Sequence, residues 1–135
     1  HNNKHESQIL LNKINDNVDV HFVSFDDAKE LFNIKTPIEV FEIFRNTNNL
    51  ILVRYQNSII FRNNQQEIKT VKVPHGEVID TTAAGDAFNG SFLALLNNKN
   101  ISIENNILIS HSVTREVIKH RGAIISKKKM PKIKL

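Results

Sequence analysis

The sequence predicts an α/β protein in which helices cover a sheet, and three observations carry that prediction. Apolar runs with strand spacing and apolar stripes with helix spacing succeed one another in the order strand, helix, helix, strand. The run Leu50-Ile51-Leu52-Val53 is apolar without a break, as a strand covered on both faces must be. Two amphipathic segments then follow each other toward the C-terminal end, and paired helices of this kind pack onto such a sheet as part of an α/β sandwich.

Residues 7–15 carry Ile9, Leu10, Leu11 and Ile14, the apolar stripe of a short helix. Asp19 to Phe25 alternates as a buried strand. Ser24 or Asp26 can then cap a helix through Asp27-Ala28-Lys29-Glu30-Leu31-Phe32. Pro37 suits the first turn of the next helix, with Ile38, Phe41, Ile43 and Phe44 on its apolar face. After the strand at 50–53, Tyr55-Gln56-Asn57-Ser58 turns the chain into Ile59-Ile60-Phe61. Asn63-Asn64 turns it again into an alternating strand over 67–73. Val78-Ile79 is strand-like. Beyond it Phe88, Phe92, Leu95 and Leu96 form one helical stripe, and a second helix runs from about Glu104 to His120 with Ile107, Leu108, Val113, Val117 and Ile118 inward. Gly122 stops that helix, and Ala123-Ile124-Ile125 is a candidate last strand.

The chain has 135 residues, 40% hydrophobic and 24% charged, which fits one globular domain or part of a larger one and excludes disorder. No apolar run approaches the roughly 18 residues of a spanning helix, and the polar opening His1-Asn2-Asn3-Lys4-His5-Glu6 is not a secretory signal. A start at His1 is that of a processed or incomplete chain. The absence of cysteine excludes disulfides and thiolate metal sites and is compatible with a reducing cytoplasm. Net charge is +4 with a pI near 9.4, yet the basic residues are dispersed, which argues against a nucleic-acid partner. Lys127-Lys128-Lys129, with Lys132 and Lys134, reads as a solvated basic tail. His21, His75, His111 and His120 are spaced too irregularly for a metal site and take structural or surface roles.

The chemistry lies in Val78-Ile79-Asp80-Thr81-Thr82-Ala83-Ala84-Gly85-Asp86-Ala87-Phe88-Asn89-Gly90. A turn through Ala83, Ala84 and Gly85 into a helix presents backbone N–H groups to an anion with no side-chain bulk in the way. Gly85 permits close approach and can take φ > 0. Asp86, at the head of the helix, can take a proton beside that anion; the alternative is a first-turn carboxylate that only stabilises the helix. Asp80 and Thr82 can ligate a cation or close an Asx-type turn. An anion cradle and a base on one turn point to phosphoryl transfer.

The stretch Asp80 to Gly90 closely resembles the C-terminal signature of the ribokinase-like (PfkB) carbohydrate kinases. The downstream His120-Arg121-Gly122-Ala123-Ile124-Ile125 and Met130-Pro131 look most like the 2-keto-3-deoxygluconate kinase branch. The resemblance spans most of residues 7–131 and implies the C-terminal part of a ribokinase-like three-layer α/β/α sandwich, residues 1–135 being the ATP-binding, catalytic-base portion. The resemblance also implies that the family's N-terminal half, with the lid and the sugar-binding residues, is absent from these 135 residues. It further implies ATP and Mg²⁺ as cofactors, with K⁺ compatible, and a small sugar or sugar acid as acceptor, with no membrane partner, a homo-oligomer being compatible. Asp86 is then the base and acceptor contact, and the N–H groups of Ala83, Ala84, Gly85 and Asp86 form the anion hole. Arg54, Gln56 and Gly122 lie beside the nucleotide, Asp80 and Thr82 hold a monovalent cation, and Asp27 joins the magnesium network. The family's Asn-x-x-Glu stands here as Ser24-Phe25-Asp26-Asp27, and its glycine-bearing nucleotide loop as Arg54-Tyr55-Gln56-Asn57-Ser58, where Asn57 can supply a left-handed residue. Alternatives within the resemblance are another sugar or nucleoside as acceptor, or a truncated, non-catalytic remnant.

Overall fold

The computed structural model describes residues 2–15, 17–45 and 48–133; His1 and Lys134 lie outside them. The chain forms two compact units, 1–72 and 73–135.

The first unit holds α1 (Asn2–Asn15), β1 (Val20–Ser24), α2 (Phe25–Phe32), α3 (Glu39–Ile43), β2 (Leu50–Tyr55), β3 (Ser58–Arg62) and β4 (Ile68–Lys72). The strands lie in the order β1-β2-β3-β4; β1 runs parallel to β2, and β2, β3 and β4 are antiparallel neighbours. The parallel pair needs a crossover, and α2 and α3 are that crossover. Ser24 caps α2 by accepting the Asp27 N–H, while Gln8 and Lys4 donate to the carbonyls of Leu31 and Glu30 at its other end. Glu39 accepts the N–H groups of Lys35 and Thr36 and so fixes the start of α3. Buried Arg62 donates to the carbonyls of Phe41 (2.9 Å) and Phe44 (2.6 Å) at its end. Phe25, Val40, Phe41, Phe44, Ile51 and Val53 share one apolar core. Their neighbours Leu50 and Leu52 are buried too, as expected of a strand covered on both faces.

The second unit holds α4 (Ala84–Leu96) and α5 (Ile103–Val117), which pack against each other, and a short 3₁₀ turn at Lys127–Lys129. Phe88, Phe92 and Leu95 of α4 and Ile107, Val113 and Val117 of α5 are buried. Asn106 donates to the Phe92 carbonyl and holds Ser110 at 3.1 Å, a polar link between the helices.

Several sequence expectations change here. Helix α1 begins earlier than residue 7, and its Ile9, Leu10 and Ile14 are exposed, as is Ile38. Leu108 also faces outward, because it lies about 100° around the helix from buried Ile107. Helix α5 ends at Val117, three residues before His120. Neither Val78-Ile79 nor Ala123-Ile124-Ile125 forms a strand; Val78, Ile79 and Ile124 are exposed, so β-propensity met no neighbour to pair with. No helix among the described residues is long and apolar enough to cross a membrane.

Candidate active site

The segment leading to the motif is laid along α5. The Pro74 carbonyl lies 2.9 Å from His111 Nε2. Gly76 sits against the Arg115 guanidinium so closely that an added Cβ would stand 2.6 Å from Nε. The N–H groups of Ile79 and Asp80 both reach the Ile118 carbonyl, at 2.8 and 3.0 Å. His111 and Arg115 of α5 and the Ile118 carbonyl just past its end thus line the segment that leads into the turn.

At that turn the Ala84 N–H bonds to the Thr81 carbonyl (3.0 Å), and Ala83 takes the left-handed conformation at φ 61°, ψ 13° as the N-cap of α4. The sequence placed the left-handed freedom at Gly85, but the strained position is Ala83. The Ala84 N–H, counted from sequence among the anion-binding amides, is engaged within the turn. Among the described residues no protein acceptor meets the N–H groups of Ala83, Gly85 or Asp86, and none of the three is buried. These amides stand at the positive end of α4, with the exposed Asp86 carboxylate in its first turn.

Asp80 closes the Asx-type turn: its Oδ1 accepts the Thr82 N–H at 2.8 Å, while Oδ2 accepts the Gly122 N–H at 2.8 Å. The Thr82 hydroxyl, then the Gly122 and Thr82 N–H groups, hold its carboxyl down to about 2. Gly122 has φ +88°, a conformation that favours glycine. Its sequence role as a neighbour of Asp80, 42 positions away, had no local signal. A cation held by Asp80 and Thr82 must therefore share this carboxylate with two amide donors.

A cleft of about 440 Å³ opens beside Asp86, between Gly90 of α4, Val113 and Val117 of α5, and Lys127 and Met130. It lies within the roughly 300–1,000 Å³ of small-molecule sites. Lys127, read from sequence as a solvated tail residue, lines it.

In the other unit, Arg54 is the penultimate residue of β2, and Gln56 occupies the two-residue turn to β3 with φ 49°. Gln56, not Asn57, supplies the left-handed residue, at the first central position of the turn. Asp27 is exposed in the first turn of α2. Mg²⁺ takes one or two carboxylates together with substrate phosphates, and a single exposed Asp27 fits that use. Among the described residues no group of three or more His, Cys, Asp or Glu side chains could hold a metal ion. His21 is buried and stacks on Phe44 at 5.0 Å; its Nε2 has no hydrogen-bond partner among the described residues.

Residues 3–130 match the family described as pfkB family carbohydrate kinase. The chain is 31% identical to a 2-dehydro-3-deoxygluconokinase of Escherichia coli, an alignment covering 95% of this chain and 43% of the relative. It thus spans less than half the length of that curated relative. Among solved structures, aminoimidazole riboside kinase from Salmonella enterica matches with a TM-score of 0.75 at 20% identity, over 90% of this chain and 42% of that one. Fructokinase from Vibrio cholerae O395 matches at 0.74 and 20% identity, over 88% and 41%. These two likenesses give the fold, a mixed α/β piece of the ribokinase-like architecture. With a turn of free amides and a carboxylate at its rim, and a family match over nearly its whole length, the chain belongs to the pfkB family of carbohydrate kinases.

Proposed function

We propose that this chain is the ATP-binding and catalytic-base portion of a cytoplasmic kinase acting on a keto-deoxy sugar acid, in the manner of its 2-dehydro-3-deoxygluconokinase relatives. One observation carries the reading: among the described residues no acceptor meets the N–H groups of Ala83, Gly85 and Asp86, which stand at a helix N-terminus beside an exposed carboxylate. The γ-phosphate of ATP lies in this cradle, where developing charge meets donors that need no reorganisation. The acceptor hydroxyl loses its proton to Asp86, its oxygen forms the new bond to the γ-phosphorus, and the bridging P–O bond breaks to release ADP. Asp27 would be the carboxylate that holds Mg²⁺, which would supply charge neutralisation for the phosphates when bound. The family resemblance assigns Arg54, Gln56 and Gly122 to nucleotide binding, and K⁺ at Asp80 and Thr82 is compatible with the turn. The cleft beside Asp86 supports a small acceptor there.

The test is an ADP-release assay on the polypeptide carrying this chain, with 2-dehydro-3-deoxygluconate, ribose, fructose and a nucleoside as acceptors. The expected result is turnover with the sugar acid, abolished in Asp86→Asn while Mg-ATP still binds. Near-normal turnover in Asp86→Asn removes Asp86 as base. Preference for another acceptor overturns the substrate reading but not the kinase reading.

A further inference from the structure

We propose that Asp80 is a positioning residue: its carboxylate sets the spacing between the anion turn at 81–86 and the turn at Arg121-Gly122, so that one nucleotide meets both. This rests on the kinase reading above. Upstream of the turn, the chain is fastened to α5 through the Ile118 carbonyl. Beyond Ile118 the chain leaves the helix, and among the described residues the bond from the Gly122 N–H to Asp80 Oδ2 is what ties this second turn to the first. Core packing does not do so, since Val78 and Ile79 on one side and Ile124 on the other are 54%, 55% and 92% exposed.

The chemistry of the link is specific to a carboxylate. The two oxygens of Asp80 face two N–H donors, those of Thr82 and Gly122. An ionised aspartate is acceptor-only and satisfies both, whereas asparagine must turn its NH₂ toward one of them. Gly122 completes the device. Its φ of +88° belongs to glycine, and an added Cβ would meet nothing within 4 Å, so a substitution there acts through the backbone and not through a clash.

The experiment measures amide hydrogen exchange and Mg-ATP affinity on this chain, in the wild type and in Asp80→Asn, with Gly122→Ala attacking the same link from its other end. Circular dichroism checks that each variant is folded. Losing one charge-assisted bond is expected to speed exchange at Gly122 and to weaken Mg-ATP binding, each by roughly tenfold or more. Exchange at Gly122 that is unchanged in Asp80→Asn overturns the link. Faster exchange with unchanged affinity overturns the positioning role and leaves the kinase reading intact. A wild-type chain that protects Gly122 but does not bind Mg-ATP overturns the kinase reading, and the positioning role with it.

Discussion

Replacing Ala83 by glycine should stabilise the protein, against the usual sign of such a change. At φ 61°, ψ 13° the alanine Cβ crowds its own backbone, a cost of about 1–2 kcal/mol for an L-residue. Glycine removes that cost but gives the unfolded chain more freedom, worth about 0.4–1 kcal/mol in the opposite sense. Glycine is also acceptable at an N-cap, and Ala83 makes no side-chain capping bond to lose. The balance is a gain of about 0.5–1 kcal/mol, or about 2–5 °C in Tm for a domain of this size. Urea unfolding followed by far-UV circular dichroism measures it directly. Ala83→Val at the same position should destabilise, because a β-branched residue at positive φ is a true outlier. If Ala83→Gly instead lowers stability by about 0.5–1 kcal/mol, as glycine does in an ordinary helix, Ala83 is not left-handed and the amide cradle is built differently.

Arg62→Met should cost about 3 kcal/mol or more, since it removes two bonds from a buried guanidinium to the carbonyls that end α3; the urea midpoint reads the loss. Burial lowers the pKa of His21 from 6.5, so the unfolded chain takes up the proton first. Its contribution is therefore intact above that value and is lost as pH falls through it toward the folded pKa. The drop in urea midpoint between pH 7 and 5 should shrink in His21→Phe, and an unchanged drop assigns the effect to other groups.

Much of the fold was legible because its signals are local. Ser24 stands directly before an amphipathic stretch and caps it; the unbroken apolar run at Leu50 became a strand buried on both faces. The failures share a cause. Ile9, Leu10 and Ile14 have helix spacing, but spacing cannot say whether a partner covers them, and Ala123-Ile124-Ile125 has strand composition without a neighbouring strand. At the site, the small residues and Asp86 were readable as a cradle and a base. Which amides remain free was not, because that depends on the Thr81–Ala84 turn bond and on the sign of one φ angle. Glycine and asparagine were natural choices for the left-handed positions, yet Ala83 and Gln56 hold them, under constraint from the turns around them. The bond joining Asp80 to Gly122 spans 42 positions, beyond the reach of any periodicity.

The most direct measurement is the backbone amide NMR spectrum of the chain during titration with Mg-ATP. Phosphate in the cradle predicts large, saturating shifts at Ala83, Gly85 and Asp86, with a much smaller one at Ala84, whose N–H is already bonded to Thr81. Saturating shifts elsewhere that leave those three amides unmoved would contradict the account.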